Sequence, residues 1–128
     1  MNSSDILIIF NQHFIELIDF IQELFPDDEK IIMAKTKILK LKKVNPKLII
    51  RIWKIHIVNK YKNEIIEGNI DFFINKNYDE DVENLDTDNI IIETIDKMRT
   101  PVKMMSRENQ NKILNYLRNL CNLSENYK

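Results

Sequence analysis

The amino-acid sequence predicts an all-α fold, a compact bundle of five to six helices in a single domain spanning residues 1–128. Apolar residues recur at the 3.6-residue period of half-buried helices, and cap or turn residues separate these segments. A chain of this length can bury a substantial core. With 44% apolar and 30% charged residues, the composition is that of an ordinary globular protein and excludes the disordered class.

The first helix is expected to run from Ser4 to Phe25. Ser3 or Ser4 is available as its N-cap, and Pro26 ends it because the proline ring cannot continue the hydrogen-bond ladder. The apolar side chains of its inward face are Ile6, Phe10, Phe14, Leu17, Ile21 and Leu24.

The second helix is predicted to run from the Asp27-Asp28 pair to about Lys43. Both aspartates suit its N-terminus, because a carboxylate can accept from free backbone N–H groups and stabilises the positive end of the helix dipole. Its inward residues are Ile31, Ala34, Ile38 and Leu41.

The third helix is predicted to begin at the Asn45-Pro46 pair, with Asn as the N-cap and Pro at the first helical position. It runs to about Lys62 or on to Glu67, where Gly68 is the C-terminal stop. The residues assigned to its apolar side are Ile49, Ile52, Trp53, Ile55 and Ile57.

The segment 69–78 suits either a short helix or one strand, and the short helix is favoured because no partner strand is evident. Residues 79–88 are acidic and rich in turn formers, which predicts a loop. A helix is expected over 89–99, although residues 90–92 alone would also suit a strand. Thr100-Pro101 is predicted to break this helix.

Ser106 is predicted to open the last helix as its N-cap. The inward residues of the 89–99 helix are Ile91, Ile95 and Met98, and those of the last helix are Ile113, Leu114, Leu117, Leu120 and Cys121.

Charge is segregated into blocks along the chain, although the net charge is only −1. Residues 1–29 carry seven acids and no Lys or Arg, and residues 30–62 carry eleven Lys or Arg and no acid. Residues 63–96 carry eleven acids and one Lys, and residues 97–128 carry seven bases and two acids. The basic block 30–62 covers the second and third helices, which together we call the basic hairpin.

The basic hairpin predicts a binding surface. On the third helix Lys47, Arg51, Lys54 and Lys62 fall within an arc of about 80°, at about 100° per residue. A concentrated positive field attracts anionic partners. We therefore expect a non-enzymatic interaction or scaffold protein that binds an acidic protein, or a copy of itself, through residues 30–62. The candidate binding residues are Lys40, Lys47, Arg51, Lys54 and Lys62, with Phe72 as an apolar anchor.

Two other interpretations of the charge pattern stay open. The acidic blocks would neutralise the basic hairpin if they lie beside it. The same face would also suit sequence-tolerant binding of DNA or RNA through phosphates. A pI of about 6.1 and few side chains able to read base edges weaken that alternative. Aromatic residues that stack bases elsewhere are interpreted here mainly as core, namely Trp53, Tyr61, Phe72, Phe73 and Tyr78. Because the adjacent Phe72 and Phe73 cannot both point the same way on a helix, one of this pair is expected to be exposed as the anchor.

No residue pattern predicts an enzyme, and no cofactor or metal is expected. His56 and His13 are interpreted as core histidines bonded to a neighbour, and Cys121 as a packed thiol. The acidic stretch 79–88 lacks the Gly and Glu of an EF-hand calcium loop, which favours solvated acid.

The cellular setting is bounded by a few absences in the sequence. A single cysteine excludes an internal disulfide and favours a reducing compartment. The apolar runs are too short to span a bilayer, and the N-terminal residues lack the positive charge that opens a signal peptide.

Four short strings stand out: Phe25-Pro26-Asp27-Asp28, Asn45-Pro46-Lys47-Leu48 with Trp53 behind it, Asp71-Phe72-Phe73-Ile74-Asn75-Lys76, and Pro101-Val102-Lys103-Met104-Met105-Ser106. Together they resemble a family of small uncharacterised proteins of giant nucleocytoplasmic large DNA viruses, of the mimivirus or phycodnavirus type. Ile, Asn and Lys make up 54 of the 128 residues, a bias that fits such genomes. The resemblance implies a setting in the host cytoplasm or viral factory, or packaging into the virion.

Overall fold

The computed structural model describes residues 2–71 and 86–127, with the backbone alone for residues 86–89. Within these ranges the chain is helical with short connections and contains no strand. The all-α prediction is therefore confirmed.

The described residues form five helical rods. Their bounds are α1 (Ser3–Leu24), α2 (Glu29–Val44), a central helix made of α3 (Leu48–Trp53), a π-helical segment (Lys54–Val58) and α4 (Asn59–Glu67), then α5 (Asp86–Met104) and α6 (Arg107–Asn126). Helix α1 packs against α2 and α6, α2 also packs against α5, and the central helix contacts α1, α5 and α6. The central helix therefore lies in the middle of the bundle, and the core side chains of the other helices pack around it.

The N-terminus of α1 is capped by Asn2, which corrects the prediction of Ser3 or Ser4. The Asn2 Oδ1 accepts a hydrogen bond from the Asp5 backbone N–H at 2.9 Å. The extended backbone of Asn2 is the conformation that an N-cap requires, whereas both serines already lie in the first turn of the helix.

The predicted caps of α2 and of the last helix are confirmed. Asp28 Oδ1 accepts from the backbone N–H groups of Lys30 at 3.0 Å and Ile31 at 3.3 Å. Ser106 Oγ accepts from the Asn109 backbone N–H at 3.2 Å. Each cap satisfies N–H groups that have no partner within their own helix.

The central helix begins later than predicted. The Asn45 N–H donates to the Leu41 carbonyl at 2.8 Å, so Asn45 ends α2 instead of opening the next helix. The chain then turns, and the Leu48 N–H donates to the Asn45 carbonyl at 3.2 Å. The prediction of Asn45 as N-cap and Pro46 as first helical residue was wrong, because the last turn of α2 engages Asn45 first.

Helix α5 is longer than predicted and passes through Pro101. Pro101 has no N–H to donate to the Lys97 carbonyl, and the predicted break at Thr100-Pro101 was based on this missing hydrogen bond. In the fold Pro101 and Val102 are both buried. The Gln110 side-chain amide of α6 donates to the Val102 carbonyl at 3.0 Å. Packing and this bond hold the last turn in place of the missing ladder bond.

The middle of the chain bears on two further predictions. The loop expected over 79–88 ends earlier, because α5 begins at Asp86; residues 79–85 lie outside the described ranges. Of the short helix expected over 69–78, Ile70 and Asp71 are helical, and the remainder also lies outside the described ranges.

An aromatic cluster joins the central helix to α1. The Trp53 ring lies edge-on to Phe10 and Phe14, with centroid separations of 6.4 Å and 6.1 Å, and Phe10 stacks on Phe14 at 6.3 Å. All three side chains are fully buried. Edge-to-face aromatic contacts stabilise a core beyond the area they bury.

The predicted inward faces are buried except at two positions. Leu24 is 41% exposed because it is the last residue of α1, and Ile55 is 46% exposed. Ile55 follows buried Trp53 by two residues, a rotation of about 200° that places it on the opposite face. Val58 is buried, because residues in the wider π-helical turn advance by less than in an α-helix.

The C-terminus of the central helix closes on α6. Gly68 adopts the left-handed conformation, with φ of +82°, as predicted for a helix stop. The Arg118 guanidinium donates through Nε to the Ile65 carbonyl and through Nη2 to the Ile66 carbonyl, both at 3.2 Å. A Cβ at Gly68 would lie 2.8 Å from Arg118 Nη2, so the site favours glycine for both backbone conformation and space.

Replacing Trp53 by Ala should lower the free energy of unfolding by about 3–5 kcal/mol, because it leaves a large cavity beside Phe10 and Phe14. Urea denaturation followed by circular dichroism measures this loss. The matched control is Ile55→Ala on the same helix, which should cost less than about 1 kcal/mol because Ile55 is partly solvated. Equal losses in the two variants would contradict this assignment of the core.

Replacing Gly68 by Ala should cost about 1–2 kcal/mol, since a side chain with a Cβ is disfavoured in the left-handed conformation. Thermal unfolding provides the measurement. Glu67→Ala, one residue earlier and still inside the helix, is the control and should be nearly neutral. A Gly68→Ala protein as stable as the wild type would show that this helix end is free to rearrange.

Candidate partner-binding surface

The connection between α2 and the central helix is held against α1. Asn11 of α1 is buried, and its Nδ2 donates to the Pro46 carbonyl at 2.9 Å. Because this bond ties the connection to the first helix, the residues that flank it are presented at a defined corner of the bundle.

Five exposed residues flank that connection, and we call them the basic corner: Lys40, Lys43, Val44, Lys47 and Arg51. Lys40 lies one turn before Val44 in α2, and Arg51 lies one turn after Lys47. Within residues 2–71 and 86–127, no carboxylate forms an ion pair with any of the four cations. They form a charged surface that the described part of the chain does not neutralise by contact.

Two of the predicted binding residues are engaged by α6 instead. Lys62 Nζ lies 2.6 Å from Glu125 Oε2, and Lys54 Nζ donates to the Tyr127 carbonyl at 3.4 Å. Lys54 is half-buried. The four cations that sequence spacing places on one arc of the third helix therefore divide into an open pair, Lys47 and Arg51, and a pair held by the C-terminal helix.

Acidic side chains of α1 and α5 lie beside lysines in the N-terminal half of α2. Lys35 Nζ lies 2.6 Å from Asp19 Oδ1 of α1. Lys30 and Lys37 line a groove of about 440 Å³ that they share with Glu93 and with Asp96 of α5. Acidic side chains thus lie beside the N-terminal half of α2, whereas no carboxylate of residues 2–71 or 90–127 forms an ion pair with Lys40 or Lys43 in its C-terminal half.

Aliphatic side chains are exposed among the lysines. Val44 is 84% exposed, and Leu39 and Ile55 are 42% and 46% exposed. Exposed aliphatic groups beside unpaired cations are typical of a surface that contacts a partner with both charge and apolar area. The sequence interpretation missed Ile55, although its rotation from Trp53 already placed it on the Arg51 side.

Phe72, the predicted apolar anchor, lies outside the described residues, as do Phe73 and Tyr78. Trp53 is core, and Tyr61 is half-buried against the core. The prediction of a core role is thus confirmed for Trp53.

The two histidines occupy different environments. His56 is buried in the π-helical segment, as predicted, but its Nδ1 makes no hydrogen bond to the described residues. His13 is half-buried at the α1–α6 seam, where its Nε2 lies 3.5 Å from the Asn119 side chain and its Nδ1 3.4 Å from Glu16. His13 also packs on the Tyr116 ring, with centroids 4.7 Å apart.

Cys121 is a buried thiol, as predicted. Burial raises the pKa of Cys121 to about 11, and the Glu125 carboxylate adds to this rise. The Trp53 indole N–H and the Lys62 ammonium act in the opposite direction and do not overcome the desolvation. A thiol in this state is a poor nucleophile at neutral pH.

The described parts of the chain hold no cluster of three or more His, Cys, Asp or Glu side chains suited to a metal ion. None of their helices combines the length and apolar content needed to cross a bilayer. Comparisons with protein-family models, curated proteins and solved structures find no match to the chain.

The Cys121 thiol should react very slowly with iodoacetamide in the folded protein at pH 8. With a pKa near 11, about one thiol in a thousand is ionised at that pH, and the sulfur is also buried. Mass spectrometry after timed labelling gives the rate. In urea the unfolded thiol, with an ordinary pKa near 8.5, should react much faster; equal rates in both states would contradict a packed thiol.

Proposed function

We propose that the protein is a non-enzymatic interaction protein that binds an acidic protein partner through the basic corner. One observation carries this proposal: Lys40, Lys43, Lys47 and Arg51 are exposed and have no carboxylate partner among the described residues. Such a surface accelerates and orients the association of negatively charged partners.

Exposed aliphatic residues favour a protein over a nucleic acid. Leu39, Val44 and Ile55 gain free energy only if the partner covers them with apolar atoms. A phosphate backbone supplies charge but little apolar area. An acidic segment that also carries aliphatic side chains matches both parts of the surface. A second copy of the chain would supply such acidic segments, because it carries its own acidic blocks.

The setting proposed for this function is the host cytoplasm or viral factory of a giant DNA virus, or its virion. Its support is the resemblance of the four sequence strings and the Ile/Asn/Lys bias. In that setting the protein would act as a small adaptor or scaffold component.

The experiment uses three fluorescent probes against the full chain: an acidic amphipathic peptide with Glu on one helical face and Leu on the other, polyglutamate of equal charge, and duplex DNA. Fluorescence anisotropy should show tightest binding to the amphipathic peptide. The double variant Lys47→Glu/Arg51→Glu should weaken that binding about tenfold, because it turns two attractions into repulsions. Raising the salt concentration should weaken it further.

The matched control is Lys103→Glu/Arg107→Glu, which reverses two exposed cations away from the basic corner. It should leave binding of the amphipathic peptide nearly unchanged. Circular dichroism should show equal helicity in all three proteins. An affinity for the amphipathic peptide that is unchanged when the charges of Lys47 and Arg51 are reversed would overturn the proposal.

The duplex DNA probe tests the alternative function, sequence-tolerant binding of nucleic acid. If DNA binds more tightly than the peptide, with log affinity falling against log salt at a slope of about −3 to −4, sequence-tolerant nucleic-acid binding replaces the proposal. If sedimentation shows a concentration-dependent dimer that the Lys47→Glu/Arg51→Glu variant abolishes, the acidic partner is a second copy of the chain.

A further inference from the structure

An open groove runs along the seam between α1 and α6. Its volume is about 930 Å³. Its apolar surface comes from Ile6, Ile9 and Leu123, and asparagine side chains line it along α6. A groove of this size with an apolar lining and a few polar groups is the usual form of a ligand site.

The asparagines of α6 form one stripe. Asn115, Asn119, Asn122 and Asn126 follow each other at intervals of four, three and four residues. At about 100° per residue they stay within an arc of about 60°, and they cover about 16 Å along the helix axis. All four are exposed. The stripe therefore presents Asn119, Asn122 and Asn126 along one side of the groove, and Asn115 in a smaller depression beside it.

Among residues 2–71 and 86–127, the groove lining carries no Lys, Arg, Asp or Glu, although 30% of the chain is charged. Each asparagine offers a donor and an acceptor. Asn126 Nδ2 donates to the Asn122 carbonyl at 2.9 Å. The Asn122 side-chain amide makes no hydrogen bond within the described ranges, so its donor and its acceptor are both available.

The groove continues into a smaller depression of about 270 Å³ at its α1 C-terminal end. His13 and Asn119 line both, and Tyr116 and Phe20 line the smaller one. The two aromatic rings lie 6.2 Å apart, centroid to centroid. Lys112 Nζ lies 5.8 Å from the Phe20 ring centroid and is the charged residue at this end.

We propose that this groove binds an extended, uncharged peptide segment of a partner protein. The peptide main chain repeats a donor and an acceptor at every residue, which is the pattern that a row of side-chain amides can satisfy. Alternate side chains of an extended strand point the same way and would rest on Ile6, Ile9 and Leu123. At about 3.3 Å per residue, the stripe matches about five residues.

Other ligand classes fit the lining less well. A charged segment would lose its hydration along the main groove, whose described lining carries no counter-charge. An oligosaccharide would satisfy the amides but would leave the aliphatic surface facing hydroxyl groups. An extended peptide with alternating apolar side chains uses both the amides and the aliphatic surface.

This site is separate from the basic corner. Asn11, which holds the α2 connection, and His13, which lines the groove, differ by two residues and therefore by about 200° around α1. Opposite faces of α1 therefore meet the basic corner and the groove. The groove proposal does not depend on the function proposed for the basic corner.

A displayed library of random heptapeptides, selected on the full-length chain, tests the groove. Selected peptides should lack charged residues and carry an apolar residue at every second position. Synthetic copies with blocked termini should bind about 25-fold more weakly to the Asn119→Ala/Asn122→Ala variant, at about fivefold per lost hydrogen bond. Alanine is the better helix former, so this variant should fold at least as well as the wild type.

The matched control is Asn59→Ala/Asn63→Ala, which removes two exposed asparagines from α4. It should bind the selected peptides like the wild type. Uncharged peptides whose binding survives loss of Asn119 and Asn122 would overturn the proposal. So would a screen that yields no uncharged peptide, and an oligosaccharide array with binding that the Asn119→Ala/Asn122→Ala variant loses would assign the groove to a sugar instead. Acidic peptides whose binding the Lys47→Glu/Arg51→Glu variant loses report the basic corner, so the two proposals can fail separately.

Discussion

Burial of the first half of the central helix, residues 48–58, on most of its circumference is the constraint on which the rest of the structure depends. In α3, every residue except Arg51 is buried, and Trp53 packs edge-on against two phenylalanines of α1. A helix enclosed in this way leaves only a narrow strip for charged side chains. In this half the cations are therefore confined to Lys47 at the N-cap, to exposed Arg51 and to half-buried Lys54, which donates to the Tyr127 carbonyl.

Much of the fold was predictable because helical periodicity, prolines and caps are local signals. The inward faces of α2 and the last helix, the stop at Gly68 and the caps at Asp28 and Ser106 follow from side chains a few residues apart. The errors arose where a distant contact outweighs the local rule. Pro101 stays helical because α6 supports its turn, a contact that no local pattern reveals.

The candidate surface was predictable only in part, for a similar reason. Charge spacing placed Lys47, Arg51, Lys54 and Lys62 on one arc, which a straight helix requires. It did not reveal that Glu125 and the Tyr127 carbonyl meet Lys62 and Lys54, because those partners lie more than sixty residues away. The groove between α1 and α6 was not predicted from the sequence. Asparagine is frequent in this biased composition and is typical of solvated surface, and only the packing of α1 beside α6 shows that these asparagines line a groove.

The π-helical segment joins two registers that are set independently. The aromatic cluster determines the rotation of the helix before the segment, and Arg118 and Glu125 of α6 determine it after the segment. A π-helical turn holds about one residue more than an α-helical turn, so the segment absorbs an extra residue while both registers are kept. Deleting one residue there would convert the turn to ordinary α-helix and leave Lys62 and Gly68 facing the groups that meet them. The irregular turn is therefore a place where the length of the chain can change by one residue without loss of the contacts on either side.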